Sequence, residues 1–382
     1  MSVGAPPVPR LGSAAAALAA AAALAAEWRL AGPRRDADRE LPREELAALG
    51  RSGLLAIGVP AELGGAGLPP STVAEVFAIL AEADVALAQI GQNHFDFVDV
   101  LRFAAEPFRG EMYARIGEGE RLGNALAERG VKDMTKLRTR LSAVAGGYRL
   151  DGVKHFATGA LTADWIPVMA LDPEDQVMVA YVERGSEGLA TVDDWDAFGQ
   201  RATHSGTVEL DAVFVPAERV VRRGEGDAAL AVGLLAGNQL IHTAIEYGGA
   251  VGAAAARREA GAVGDARAAG DLELARLALA RAGRLVDAAV LATPAARDRS
   301  VRAMAAVDAA KAIAYRVGPR AAAAIFDADR VEAVRVDERL DRWWRNSRVH
   351  SLHDPARLRA RDVGAYLLFA QPPTMAAGLM GD

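Results

Sequence analysis

The sequence contains no cysteine. This absence excludes disulfides, thiolate-bound metals, iron–sulfur clusters and a cysteine nucleophile. A chain without cysteine suits a reducing compartment, so we expect a cytoplasmic location. An excess of basic charge is also lacking, because the net charge of the 382 residues is −6. Without an overall positive field we expect neither nucleic acid nor a membrane as a partner.

Several common motifs are missing as well. The glycine-rich residues 64–67 lack the third glycine and the preceding strand of a dinucleotide fingerprint. No P-loop and no Gly-x-Ser-x-Gly sequence occurs. We therefore expect no bound nicotinamide cofactor and no serine hydrolase. Aromatic residues make up only 5% of the chain, which gives no clear stacking platform for a large polycyclic ligand.

The N-terminal segment has two interpretations. Residues 13–26 are nearly all alanine and leucine and follow Arg10, as in a signal peptide. Alanine is also the best helix former, and the helical pattern continues through Trp28 and Leu30. We favour a helix of the folded protein. We also expect that no stretch is long and apolar enough to span a membrane.

The character of the sequence changes twice along its length. Residues 1–118 have helical patterns, residues 119–224 have short alternating stretches punctuated by glycine and aspartate, and residues 225–382 are helical again. Strands are predicted at 137–150, 177–182 and 207–215. The chain is long enough for two or three domains. We predict a mostly α protein with a central β domain between two helical domains at these boundaries.

Two histidines stand out among the six. His350 and His353 lie in a cluster of tryptophan and arginine residues, and their spacing of three places both on one side of a helical turn. With Asp354 they offer a metal site, but no fourth ligand is evident, and we predict no metal. Contacts to an anion or flavin with proton delivery suit an arginine-flanked pair better. The simplest alternative is a helix end held by surface salt bridges. His242, within a helical run, is expected to be structural.

Two short segments of the β region carry polar groups. One includes Asn124, and the other runs Lys154-His155-Phe156-Ala157-Thr158-Gly159-Ala160. The amide, the hydroxyl and nearby backbone N–H groups suit hydrogen bonds to a heteroaromatic ring such as isoalloxazine. Taken alone, ordinary turn chemistry is the preferred explanation of these residues.

Together these segments resemble the acyl-CoA dehydrogenase superfamily, from about Ala16 to Leu368. Arg51-Ser52-Gly53-Leu54-Leu55, followed by Val59-Pro60-Ala61-Glu62-Leu63-Gly64-Gly65, resembles its N-terminal signature. The segment from Trp195 to Thr207 resembles its W-x-x-x-G-Q-R-x-T-x-S-G stretch. Residues 340–355 resemble the L-D-R-x-W-R-N-x-R-x-H-x-x-H-D-P stretch of dibenzothiophene and dimethylsulfone monooxygenases. The resemblance implies an N-terminal helical domain, a β-barrel-like middle domain and a C-terminal four-helix bundle.

The resemblance also implies roles for individual residues. Catalytic roles fall on His94, Asn124, Thr158 and His353. Contacts to the flavin fall on Asn124, Thr158, Gly159, Ser205, Arg345 and His350, and the substrate pocket includes His94 and Trp195.

The implied function is a two-component monooxygenase. A separate reductase would supply reduced FMN, a flavin C4a-hydroperoxide would form with O2, and one oxygen atom would pass to a small organic substrate containing sulfur or nitrogen. A homotetramer is expected. One alternative is an FAD-dependent acyl-CoA dehydrogenase, although no glutamate base is found in a comparable motif. The other is a degenerate paralogue acting as a partner subunit, suggested by residues 327–333 and by Arg359, where the family pattern is not kept.

Overall fold

The structure of the protein is a computed structural model. It describes residues 7–259, 266–292, 294–327 and 331–380, and only the backbone of residues 266, 331, 332 and 353. The predicted departure at residues 327–333 therefore lies largely outside the described residues.

The described chain runs from helices through a sheet and back to helices. The first helices are α1 (Ala14–Asp38), α2 (Arg43–Arg51), α3 (Pro70–Ala83), α4 (Val85–Val100) and α5 (Phe108–Gly117). The strands are β1 (Arg140–Val144), β2 (Gly147–Lys154), β3 (Trp165–Leu171), β4 (Val177–Glu183), β5 (Leu189–Val192), β6 (Thr207–Pro216) and β7 (Val220–Val221). The last helices are α6 (Ala228–Glu259), α7 (Ala266–Val290), α8 (Arg297–Ala323), α9 (Asp341–His353), α10 (Ala356–Phe369) and α11 (Thr374–Met380). This order confirms the predicted fold class.

The seven strands form one mixed sheet in the order β5-β6-β2-β1-β3-β4-β7. Neighbouring strands are antiparallel except β1 and β3. The predicted strand–turn–strand at 137–150 corresponds to β1 and β2, and Gly146 at their turn has a φ of +79°, which favours glycine. The sheet encloses a core of small aliphatic side chains that include Leu150, Ile166 and Val213.

Helix α1 begins where its sequence predicts. The Ser13 hydroxyl accepts a hydrogen bond from the Ala16 N–H, which caps the first turn. Buried Ala17, Ala21 and Trp28 join the core that α1 shares with α3. The N-terminal segment is thus a packed helix in this structure, in agreement with the favoured interpretation.

The expectation that no segment is long and apolar enough for a membrane is wrong for two helices. By length and composition, both α1 and α6 meet that criterion. Helix α6 is mostly buried within the protein, so its apolar surface packs in a core. Its small residues allow this close packing: a Cβ on Gly248 would lie 2.2 Å from the backbone oxygen of Ala78 in α3. The sequence rule failed because buried core helices and membrane helices share a composition.

A buried glutamate connects the start of the sheet domain to two of its strands. Glu128 lies in the segment before β1 and accepts hydrogen bonds from the Thr139 N–H and hydroxyl, the Arg138 N–H and the Lys154 ammonium, the last at 2.9 Å. Lys154 ends β2 and is fully buried. Burial alone would raise the pKa of Glu128, but these hydrogen bonds lower it from 4.5 to about 2. The carboxylate is therefore charged, and its charge balances that of the buried Lys154.

Replacing this carboxylate tests its contribution. We expect Glu128→Gln to lower the free energy of unfolding by about 3 kcal/mol at pH 7, because Lys154 is left buried without its counter-charge. A group whose pKa is lowered on folding stabilises above its unfolded pKa. The difference from wild type should therefore shrink as the pH falls from about 4.5 to about 2. Urea unfolding at several pH values measures it.

The control for this experiment is Glu111→Gln. Glu111 pairs with Arg115 on the surface of α5, where both side chains are more than one-third exposed. Little change is expected there because solvent screens exposed pairs. Equal effects of the two substitutions would contradict the role of Glu128.

Candidate functional site

A chain of hydroxyl groups lies on one face of the sheet domain. The Thr158 and Ser205 hydroxyl oxygens are 2.7 Å apart, and Ser205 donates to the Thr203 hydroxyl at 2.8 Å. Thr203 donates in turn to the backbone oxygen of Gln200. Thr158 and Ser205, which lie 47 residues apart in the sequence, were both predicted at a flavin. The structure brings these two predicted residues together.

Gly159 follows Thr158 in a turn that requires glycine. Its φ is +80°, and a Cβ there would lie 2.9 Å from a guanidinium nitrogen of Arg121. Arg121 is buried and donates hydrogen bonds to the Gly159 oxygen and the Thr162 hydroxyl. Burial lowers the pKa of Arg121 to about 10, so it stays charged. Arg121 was not predicted, because nothing in its local sequence shows that it supports this turn.

Asn124 connects the sheet domain to α4. Its side-chain amide donates to the Asn93 side-chain oxygen at 3.2 Å, and its own side-chain oxygen accepts from the Leu126 N–H. Asn124 is therefore held in one orientation. Asn93, which the sequence analysis passed over in favour of its neighbour His94, is the residue of this pair that makes the side-chain contact.

The structure argues against the predicted catalytic and pocket roles of His94. The Leu122 N–H donates to its Nδ1 at 3.1 Å, and its Nε2 lies 3.0 Å from the Leu55 oxygen. Both ring nitrogens are thus bound to backbone. Burial lowers the pKa of His94 to about 3, so the ring is neutral and transfers no proton near pH 7. His94 instead holds α4 against two backbone segments.

Trp195 lines a small cavity beside Ser205. The cavity has a volume of about 130 Å³ and is also lined by His155 and Phe156. The Trp195 indole N–H donates to the Gln200 oxygen at 3.0 Å, and its ring meets Phe156 edge-on. The pocket position predicted for Trp195 agrees with this geometry, and His155 is an addition to it.

Arg345 is fully used by contacts within the protein. Its guanidinium forms a bidentate pair with Asp36 at 3.0 and 2.6 Å, and it also donates to Asp341 and to the Phe198 oxygen. The predicted role as a flavin contact is not supported, because each guanidinium nitrogen has a protein partner. Arg345 instead joins α9 to α1 and to the sheet domain.

His350 lies in a buried polar cluster inside the C-terminal bundle. Its Nδ1 is 2.8 Å from a carboxylate oxygen of Glu246, and its Nε2 is 3.4 Å from Nδ1 of His242. The Ser347 hydroxyl donates to the other Glu246 oxygen. His350 is 2% exposed and its ring is bound on both sides by protein groups, so the predicted flavin contact stays a prediction. The structure brings in His242 and Glu246, which were not predicted.

The remaining predicted residue, His353, ends α9. Its side chain lies outside the described residues, so its catalytic role stays a prediction. No group of three or more metal-ligating side chains was found within the described residues.

Comparison with known proteins gives consistent matches. Residues 13–120 match the acyl-CoA dehydrogenase N-terminal domain and residues 124–213 match the acyl-CoA dehydrogenase middle domain. A dibenzothiophene monooxygenase of Mycolicibacterium goodii is 30% identical over 92% of this chain and 93% of its own length. A probable FMNH2-dependent monooxygenase of Pseudomonas putida is 27% identical over 94% and 96%. The crystal structure of an FMN-bound dibenzothiophene monooxygenase from Paenibacillus superposes with a TM-score of 0.86 at 26% identity, covering 94% of this chain and 98% of the other.

Because Glu246 lies at the centre of a buried polar cluster, we expect the protein to lose stability when its carboxylate is removed. We expect Glu246→Ala to lower the free energy of unfolding by about 2–3 kcal/mol, because His350 and Ser347 lose their acceptor inside the bundle. Chemical denaturation measures this change. Glu273→Ala is the control, since Glu273 pairs with Arg276 on the exposed surface of α7. An equal loss of unfolding free energy in Glu273→Ala would contradict a particular contribution of the cluster to stability.

The bidentate pair of Arg345 and Asp36 is expected to require arginine for full stability. We expect Arg345→Lys to destabilise the protein by about 1–3 kcal/mol although charge is kept, because an ammonium group cannot make two parallel bonds to Asp36. Thermal unfolding tests it. The exposed pair of Arg109 and Glu106 serves as the reference, and Arg109→Lys should leave the melting temperature almost unchanged. A wild-type melting curve for Arg345→Lys would contradict the structural role.

Proposed function

This chain belongs to the acyl-CoA dehydrogenase family, and from that premise we propose that it is a flavin-dependent monooxygenase that uses reduced FMN from a separate reductase. The similarity to monooxygenases over almost the whole chain supports the reaction class. The FMNH2-dependent relative and the FMN-bound structure support FMN as the cofactor.

The observation that carries the proposal is the hydroxyl chain of the sheet domain. Thr158 and Ser205 present hydroxyls that are fixed by each other and by Thr203. Gly159 allows the turn beside Thr158 to pack closely on the buried Arg121, and Asn124 lies at the contact with α4. Hydroxyl, amide and backbone groups are the partners that a flavin ring takes. These residues fit FMN, and Asn124, Thr158, Gly159 and Ser205 would hold it.

Reduced FMN, when bound, would supply the chemistry that activates O2 and delivers one oxygen atom to the substrate. The overall reaction balances as substrate, O2 and FMNH2 giving oxygenated substrate, FMN and water. The chain's own task is to orient the reactants and exclude water. Thr158 and Asn124 would orient the reactive edge through hydrogen bonds, and we retain His353 as the proposed proton donor.

The dehydrogenase alternative needs a glutamate base beside the flavin. Within the described residues only two glutamates are buried, Glu128 and Glu246. Glu128 is bound to Lys154 and Glu246 to His350. Neither is available to remove a proton from an acyl group, so the alternative loses its main residue. The degenerate-paralogue alternative is weakened because Asn124, Thr158 and Ser205 are all present and each is held by hydrogen bonds.

We also propose a homotetramer in the cytoplasm. Apolar side chains at the end of α10 are unusually exposed: Leu367, Leu368 and Phe369 have exposed fractions of 73%, 75% and 71%. An exposed apolar patch of this kind marks an interaction surface, and contact with other copies of the chain would cover it. A cytoplasmic location supplies the reduced flavin that the reaction consumes.

Stopped-flow mixing of the protein and FMNH2 with O2 tests the proposed function. We expect a long-lived absorbance of the oxygenated flavin, and turnover that requires added reductase or chemically reduced FMN. Thr158→Val should shorten that lifetime about tenfold, which corresponds to the loss of one hydrogen bond. Thr135→Val, at an exposed position before β1, is the control and should behave as wild type.

Three other outcomes would contradict the proposal in different ways. Flavin decay at the rate of a protein-free sample would exclude the monooxygenase. Reduction of bound flavin by an acyl-CoA would support the dehydrogenase. Failure to bind any flavin would support the degenerate paralogue.

A further inference from the structure

Helix α4 is buried on almost all sides, yet one of its faces is polar. Gln89, Gln92, Asn93 and Asp96 are all less than one-tenth exposed. Their spacing of three, four and seven residues places them along one side of the helix. From Gln89 to Asp96 the row extends about 10 Å, given the rise of an α-helix. A buried helix normally hides apolar side chains, so this row requires an explanation.

Four atoms in this row have no hydrogen-bond partner within the described part of the chain. They are the side-chain oxygen and nitrogen of Gln92, the side-chain oxygen of Gln89 and one carboxylate oxygen of Asp96. Gln92 is fully buried. Each buried polar atom left unpaired costs about 1–3 kcal/mol. The usual partner of such an atom is a molecule outside the protein chain, either a buried water or a bound ligand.

The row faces the junction of the sheet domain with α6. At one point Asn93 accepts the hydrogen bond of Asn124, and at another Asp96 pairs with Arg223 at 2.6 Å. Asn93, the third residue of the row, therefore contacts Asn124, which we place beside the flavin. The row lies on the helix that would form the opposite wall of the site.

The contacts of α4 with α6 show which turn of α6 lies opposite the polar row. A Cβ on Gly249 would lie 2.9 Å from the Val85 side chain, and Ile241 shares a cavity of about 230 Å³ with Phe95. The two helices therefore run antiparallel. The turn that holds Gln89 and Gln92 comes opposite the turn of α6 between His242 and Ile245, close to the polar cluster of the bundle.

We infer that Gln89, Gln92 and Asp96 bind the substrate of the proposed monooxygenase, and that this substrate is a small molecule that donates N–H or O–H hydrogen bonds. Three of the four unpaired atoms are acceptors, so the complementary ligand is a donor, such as an amine or an alcohol. The positive charge of Arg223 is taken by Asp96, so the row presents no free cation to an anionic substrate. An apolar sulfur heterocycle would leave all four atoms unpaired.

Fragment binding to the FMN-loaded protein tests this inference, which rests on the proposed function. The probes are 2-aminoethanol, 1,2-ethanediol, dimethyl sulfone and thiophene, titrated by saturation-transfer NMR with and without FMN. We expect 2-aminoethanol or 1,2-ethanediol to bind about tenfold more tightly than the other two, equivalent to one hydrogen bond. The comparison of these two donors separates amine from hydroxyl recognition.

Substitution of Gln92 locates the binding. Gln92→Leu should weaken binding of the preferred donor about tenfold, leave FMN affinity unchanged and not lower the melting temperature, because an unpaired amide is removed. Gln92→Met, of similar length, provides a second variant if Gln92→Leu does not fold. Thr243→Val is the matched control: this buried hydroxyl bonds to the Gln239 oxygen within α6, and its loss should change probe affinity less than twofold.

The outcomes separate the two proposals. Equal or tighter binding of dimethyl sulfone or thiophene, no binding of any probe, or unchanged affinity in the Gln92 variants overturns the substrate inference while FMN binding stands. Failure of the wild-type protein to bind FMN overturns the proposed function, and the titration without FMN then still decides whether the row binds donors.

Discussion

The arrangement of the site depends on one ion pair, between Arg345 of α9 and Asp36 of α1. Two parallel hydrogen bonds, at 3.0 and 2.6 Å, fix the orientation of these groups as well as their distance. The same guanidinium donates to the Phe198 oxygen in the sheet domain. One side chain thereby joins the N-terminal helices, the sheet and the C-terminal helices, which are the three parts that must meet around a flavin.

The next residue carries this constraint into the site. The Asn346 side-chain oxygen accepts from the Gln200 N–H at 2.6 Å, and the Gln200 oxygen accepts from Trp195 and Thr203. Thr203 accepts from Ser205, which lies beside Thr158. A continuous series of hydrogen bonds thus leads from α9 to the hydroxyls that we assign to the flavin. Within the C-terminal segment 340–355, Arg345 joins the helices to the sheet domain. His350 instead binds Glu246 inside the helical bundle.

The features of the fold and the site that could be predicted are those whose interacting residues lie close together in the sequence. Local patterns were enough for the helices and for β1, β2, β4 and β6, because periodicity and turn chemistry involve neighbouring residues. The strands β3, β5 and β7 were not predicted. Thr158 and Ser205 were predicted from motifs and lie within hydrogen-bond distance of each other. His94, His350 and Arg345 were predicted at the site, but each binds protein groups 28, 104 and 309 residues away, which motifs do not show. A polar residue in a motif looks the same whether it faces a ligand or a distant side chain. Helix α6 was misjudged for the related reason that composition does not show what covers a helix.

The two walls of the proposed site, the sheet domain and α4, both carry polar side chains. They differ in whether the polar atoms of these side chains have hydrogen-bond partners. On the sheet wall the polar side chains of Thr158, Ser205 and Asn124 bind one another or nearby groups, so their positions are set before any ligand arrives. Such preorganisation suits a cofactor ring that must be held in one orientation. On the α4 wall the polar atoms of Gln89 and Gln92 are buried and unpaired. The protein gains nothing in stability from this arrangement, in agreement with the substrate contact that we infer. The paired hydroxyls of the sheet wall thus belong to the scaffold, and the unpaired atoms of the α4 row are those that we assign to the substrate.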